Sequence, residues 1–203
     1  MMQADSVWLA TAETRSADVA LITRFREQVL IRAADAIPNV VSLERYIAFN
    51  IPRTTIVATL DKPASPSPAI LPHPEISCTT LRAEVCSRFI QAGERDPIAD
   101  AAILYAVLFD IPEEWQPEFD AWYDQEHIPM ILTCRAWAMT TRYHVQEGAW
   151  THLALHYIKS ASAFDDRALK DARLTPWRKK FLEHRWFTDV NKMIYFKQAR
   201  PDA

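Results

Sequence analysis

The strongest chemical signal lies in three histidines of the second half. His127 follows Tyr123 by four residues and Asp124 by three, so on a helix both lie beside the imidazole. Pro129 comes two residues later. Proline lacks an N–H, clashes with the carbonyl four residues back and disfavours helical dihedrals at the residue before it, which predicts a helix break just after His127. Helix-end carbonyls and a nearby carboxylate both favour the protonated ring, so His127 is expected to titrate near neutral pH. His152 and His156 are four residues apart on a strand-like stretch, about 13 Å at the usual rise, too far to share one metal ion. The chemistry that suits this set is proton transfer. A histidine removes a proton next to a carbonyl, and a tyrosine hydroxyl holds the oxyanion that develops.

Two kinds of element must position these groups. Residues 112–132 read as a helix with Trp115, Phe119 and Trp122 on one stripe. Residues 136–146 and 150–159 read as strands turning tightly at Glu147-Gly148. That turn pairs Tyr143 with His152, Thr141 with Ala154 and Met139 with His156. Alternation then puts Trp137, Met139, Thr141, Tyr143, His152, Ala154 and His156 on one face, a mixture of aromatic and titratable groups suited to a small molecule. A register error of one residue would separate Tyr143 from His152. The expected catalytic set is His127, His152 and Tyr143. The expected substrate contacts are His156, Trp137, Trp122, Tyr123, Asp124 and Met139. No metal and no cofactor is expected. Trp177 with Phe181 reads as a helix start packing its stripe, and Arg178, Lys179 and Lys180 as a solvated face.

The elements recur. The first half reads strand (7–14), helix (17–37), strand (40–49), strand (54–60), then a proline-dense loop from Lys62 to Pro74. Residues 79–90 read as a further strand, and Gly93 to Pro97 as a linker. The second half reads strand (101–109), helix, strand, strand, a helical stretch (160–186) capped at Thr175-Pro176, and a last strand (190–198). At a constant offset of 97, Arg45-Tyr46 falls on Arg142-Tyr143, Phe25 on Trp122 and Thr54 on Thr151. This is a duplicated β-α-β-β-α-β unit whose first copy has lost its second helix. The expected division is 1–96 and 97–203. At the same offset His127 falls on Leu30, His152 on Thr55 and His156 on Thr59, so one active pocket is expected, in the second copy. Arg142 and Tyr143 occur in both copies, which gives weight to a structural role.

Trp122-Tyr123-Asp124-Gln125-Glu126-His127-Ile128-Pro129, followed by Thr141-Arg142-Tyr143, resembles the dimeric α+β barrel superfamily, and most of all its EthD-like branch. Gly148-Ala149-Trp150-Thr151-His152 resembles the third strand of the superfamily's polyketide cyclases. The resemblance covers roughly residues 100–198 directly and the first half through the repeat. It implies an α+β fold of two tandem ferredoxin-like units, an intrachain pseudo-dimeric barrel with a degenerate first copy. Superfamily members include cofactor-free monooxygenases, lactone isomerases, cyclases, dehydratases and haem enzymes. The reading favoured is a cofactor-independent lyase, cyclase, isomerase or dehydratase acting on a small apolar aromatic or carbonyl compound in catabolic or secondary metabolism. A cofactor-free monooxygenase and a non-catalytic binding accessory protein are the alternatives.

Composition narrows the rest. The 203 residues are 49% hydrophobic and 24% charged, with a net charge of −3, an ordinary globular balance without the basic face that nucleic acid requires. Only Gly93 and Gly148 are glycines, which leaves no room for a P-loop, a dinucleotide fingerprint or a Gly-x-Ser-x-Gly elbow. The apolar runs are too short to cross a bilayer, and Met1 to Ser6 shows no secretory pattern. Cys78, Cys86 and Cys134 follow no metal-ligand spacing and read as reduced thiols of a cytoplasmic protein. The expected partner is a small apolar or aromatic molecule, with no nucleic acid or membrane, and the chain is expected to be a monomeric pseudo-dimer or a homodimer.

Overall fold

Runs of β-branched and aromatic residues form eight strands in the computed structural model, which describes residues 5–14, 18–49, 51–62, 68–70 and 72–199. They are β1 (Ser6–Thr14), β2 (Val40–Ala48), β3 (Arg53–Leu60), β4 (Ile76–Ile90), β5 (Ile103–Phe109), β6 (Trp137–Glu147), β7 (His152–Ile158) and β8 (Asn191–Lys197). The strand expected from residue 79 begins at Ile76. No helix lies between β3 and β4 among the described residues; part of the proline-dense loop, residues 63–67 and 71, lies outside them.

The helical stretch of each copy has the same construction. In the first copy α1 (Val19–Phe25) continues through a π-helical turn (Arg26–Leu30) into α2 (Ile31–Asp35). In the second, α3 (Gln116–Trp122) continues through a π-helical turn (Tyr123–His127) into α4 (Ile128–Ile131). Both π turns fall at the offset read from the sequence, since 123 − 26 = 97 and 127 − 30 = 97. The break expected at Pro129 does not occur. Ile128 is helical, with φ −66° and ψ −48°, and its N–H reaches back five residues to the Tyr123 carbonyl. A π turn already offsets the hydrogen-bond ladder at this place, so the N–H that proline lacks costs little. Three short α-helices follow β7 among the described residues: α5 (Arg167–Ala172), α6 (Pro176–Lys179) and α7 (Arg185–Thr188). Thr175 caps α6 by accepting from the Arg178 N–H, with Pro176 in the first turn, as expected.

The chain groups into two compact units, one of residues 1–85, 144–149 and 194–203, the other of 86–143 and 150–193. They are not simply the repeat halves, because β4, β6 and β8 each run from one into the other. In the first unit β1 pairs antiparallel with β3 and β4, and β2 with β3, giving the order β4-β1-β3-β2. In the second unit β5 pairs antiparallel with β7, and the order β8-β5-β7-β6 repeats that of the first copy. This is the ferredoxin-like order, with helices packed on a sheet face. The first unit's core joins Ile22, Phe25, Leu30, Ile31 and Ala34 of the helical stretch to Trp8, Ala10, Ile56 and Ala58 of the strands. The second unit's core joins Phe119, Trp122, Tyr123 and Ile128 to Val107, Phe109, Ala154, Phe181 and Phe187. No helix among the described residues is long and apolar enough to cross a membrane.

Candidate functional site

The second unit's π turn presents Tyr123 and His127 toward its sheet. Their ring centroids are 4.9 Å apart, and Trp122 lies 4.8 Å from His127 on the other side. His156 of β7 meets them: the Tyr123 hydroxyl is 3.1 Å from His156 Nε2, and His156 Nδ1 is 2.8 Å from Thr140 Oγ1. Trp137 Nε1 donates to the same Thr140 oxygen at 3.2 Å. Trp137, Thr140, His156 and Tyr123 thus form one buried polar chain. Its ends are aromatic, and the hydroxyls and imidazole along it can reorient together.

This chain borders a cavity of about 70 Å³. Trp122, Tyr123, His127, Trp137 and His156 line it, joined by Tyr105 and Leu169 and, at the rim, by Arg173, Arg178 and Lys192. His127 Nδ1 is buried and has no hydrogen-bond partner. An unpaired buried polar atom costs about 1–3 kcal/mol, and this one belongs to a residue that lines the cavity.

The electrostatics differ from the sequence expectation. Burial, with the nearby Arg178 and Arg173 charges, pushes the His127 imidazole down to about 3. Burial, with His127 itself, holds His156 well below the usual histidine range, and burial raises the Tyr123 phenol. At neutral pH the site is a set of neutral hydrogen-bonding groups. The expected titration near neutrality rested on a helix end and on Asp124. The helix continues past His127, and Asp124 is taken up elsewhere, accepting from Arg142 at 2.6 Å and from Ser87 at 3.0 Å.

Tyr143, His152, Asp124 and Met139 do not line the cavity. The reason is the register. The strand ends, Glu147 and His152, leave residues 148–151 between them, and Thr140 Oγ1 meets His156 Nδ1, so the even-numbered residues of β6 share the face of His152 and His156, one residue out of the register that a tight turn at Glu147-Gly148 sets. Thr140 and Arg142 of β6, and His152 and His156 of β7, all face the helix: Arg142 reaches Asp120 and Asp124, and His152 lies 3.7 Å from Asp120. Alternation sends Tyr143 and Met139 to the opposite face, where burial pushes the Tyr143 phenol up to about 12 beside Arg88 and Thr141. His152 shares the helix face with His156 but sits at the Asp120 end of it, with Thr151 Oγ1 2.9 Å from its Nδ1. Arg142 has a counterpart in the first copy, because Arg45 lies 3.9 Å from Glu27 at the matching positions. The strand-to-helix ion pair therefore belongs to the repeated scaffold. Thr140, Tyr105, Arg173 and Lys192 were not singled out from the sequence, and Arg178, expected on a solvated face, borders the cavity. The parity of Thr140 with His156 was the one available signal, and the assumed turn concealed it.

Comparison with known proteins places the fold. An anthrone oxidase-like protein superposes with a TM-score of 0.67 at 10% identity, over 97% of this chain and 92% of that one. A ferredoxin-fold protein from Listeria monocytogenes, described as related to antibiotic biosynthesis monooxygenases, superposes with a TM-score of 0.56 at 11% identity, over 98% of each chain. A mutant chlorite dismutase from Candidatus Nitrospira defluvii, in complex with cyanide, gives 0.57 at 8% identity, over 96% of this chain and 90% of that one. No family model and no curated protein matches the sequence. The chain shares the α+β fold of these proteins, with a ferredoxin-like strand order in each unit, and at these identities the likeness is one of fold.

A haem, which some members of the superfamily that the sequence resembles carry, does not fit this cavity as the side chains stand. Its 70 Å³ is below the roughly 150 Å³ that holds a single benzene ring, and both His156 nitrogens are engaged.

Proposed function

We propose that this chain is a cytoplasmic enzyme that binds a small aromatic or carbonyl compound in the second unit's cavity and transfers a proton there without a cofactor. The observation that carries the reading is the unpartnered, buried His127 Nδ1 on a cavity that Tyr123 and His156 of the buried polar chain also line. A neutral imidazole accepts the proton of an acidic C–H. The C–H electron pair becomes a new C=C bond, and the carbonyl π pair moves to oxygen. The Tyr123 hydroxyl, backed by His156, donates to that oxygen as charge grows on it. Return of the proton at another carbon completes an isomerisation; loss of a β-hydroxyl completes a dehydration. The aromatic rings of Trp122, Tyr105 and Trp137 exclude water from the reacting atoms. The free thiols Cys78, Cys86 and Cys134 suit a reducing compartment.

A second reading shares the first step. Removal of a proton from an electron-rich phenol or enol leaves a carbanion-like carbon that reacts with oxygen, and the likeness to an anthrone oxidase-like protein favours it. Incubating the protein in D2O with a panel of enolisable aryl ketones and phenols, with NMR detection, tests the shared step. We expect enzyme-dependent deuterium incorporation that falls about 10²-fold or more in His127→Gln. Exchange unchanged in that variant overturns the proton-transfer reading. Oxygen uptake during turnover selects the oxygenase.

A further inference from the structure

The rim of the cavity carries an excess of positive charge that the fold leaves unmatched. Arg173, Arg178 and Lys192 all border it, and no carboxylate does. Elsewhere in the same unit cations find acids: Lys180 pairs with Glu118 at 2.9 Å, Arg167 with Asp171 and Arg185 with Asp189, both at 3.2 Å. Among the described residues, none of the three rim cations has an acidic partner. The Arg178 guanidinium donates to the Arg173 carbonyl at 3.1 Å and lies 5.2 Å from the centre of the Phe187 ring. The crowding is energetically visible. Burial lowers the pKa of Arg178, with Arg173 adding to it, and burial, Arg173 and Arg178 together lower that of Lys192. All this occurs in a chain with more acids than bases, 26 against 23. Three cations held together against mutual repulsion, beside an aromatic cavity, form a receptor for an anion.

Resting on the functional reading above, we infer that the natural ligand is an aromatic acid, its ring inside against Trp122 and Tyr123 and its carboxylate at the rim on Arg173, Arg178 and Lys192. The guanidinium forks match a carboxylate in geometry and charge. Arg173 and Lys192 are exposed, so their long side chains are the movable part of the wall and can swing outward to admit a ring that the cavity does not yet hold. The same anion bears on His127. Arg178 and Arg173 both disfavour protonation of that imidazole, and a carboxylate placed on them offsets their field. Binding of the substrate's acid group thus raises the basicity of the group that takes its proton.

Calorimetric titration of the full chain with benzoate and with neutral benzamide tests the inference, because the two probes share a single ring and differ in charge. We expect the acid to bind about tenfold or more tightly than the amide, the strength of a charge-assisted hydrogen bond, with the preference shrinking as salt is raised. Arg178→Gln and Arg173→Gln should each remove most of that preference. Equal binding of the two probes overturns the inference, as does binding of neither, or an acid preference that survives both substitutions. The comparison of probes on the unaltered protein does not depend on the variants folding. The unaltered protein separates this inference from the functional reading: acid preference without deuterium exchange on any substrate leaves the anion site standing and removes the enzyme, whereas exchange without acid preference removes the anion site alone.

Discussion

Protonation of His127 opposes folding, and that opposition is measurable without knowing the substrate. In the folded chain the imidazole is held at about 3, against an ordinary 6.5. Between those values the unfolded chain binds a proton that the folded chain refuses, so the stability contribution is complete above pH 6.5 and is lost as pH falls toward 3. At pH 5 the unfolded ring is almost fully protonated and the folded ring almost not at all. One and a half pH units below the unfolded value correspond to about 2 kcal/mol. The His127 side chain retains some exposed surface, and solvent screening reduces this to about 1–2 kcal/mol. His127→Gln removes the titration while other acid-sensitive groups remain. Urea unfolding of both proteins at pH 7.5 and pH 5.0 gives the double difference. The original chain should lose about 1–2 kcal/mol more than the variant on acidification. Equal losses within about 0.5 kcal/mol would refute a neutral, desolvated His127, because the baseline cost of the substitution cancels in this comparison.

Three further outcomes follow from the same contacts. Arg142→Gln leaves Asp120 and Asp124 without their nearly fully buried partner and should cost about 3 kcal/mol in denaturant unfolding. Arg45→Gln, at the matching first-copy position with its Glu27 contact at 3.9 Å, should cost under about 1 kcal/mol; equal costs would show that the two ion pairs are not graded by burial. Thr140→Val strips the shared partner from Trp137 Nε1 and His156 Nδ1 and should destabilise by about 1–3 kcal/mol, and a neutral effect would mean the polar chain rearranges without loss.

How much of this the sequence disclosed depends on which local rule governed each residue. The repeat was legible because paired residues such as Arg45-Tyr46 and Arg142-Tyr143 report a shared backbone. The structure carries the same offset down to the two π turns. The grouping of His127 with Tyr123 and Trp122 was legible from helical spacing, which survives a π turn. What failed was chemistry read from termini and turns. Pro129 does not end its helix, because the ladder is already offset there, and β6 lies one residue out of the register assumed against β7, which turned Tyr143 and Met139 away from His156. The rim cations could not be foreseen, since Arg173, Arg178 and Lys192 come from segments whose approach to the cavity is set by tertiary packing alone.

The duplicated scaffold also argues for where function lies. At positions 97 residues earlier, the lining of the second unit's cavity becomes Trp8 for Tyr105, Phe25 for Trp122, Leu30 for His127 and Val40 for Trp137. All four belong to the first unit's apolar core or pack against it. There the same helix, π turn and strands carry apolar side chains at these four positions. In the second unit the equivalent backbone encloses a cavity, an imidazole nitrogen without a partner and a chain of buried polar groups. Filling the space with carbon is the more stable solution by a few kcal/mol, since both the void and the unpaired nitrogen are unfavourable. On the proposed reading, the second copy keeps its cavity at these positions, where the first copy has apolar side chains, for what binds there. The π turn itself is not the functional device, for both copies have it. On the proposed reading, the side chains it carries in the second copy, Tyr123 and His127, are.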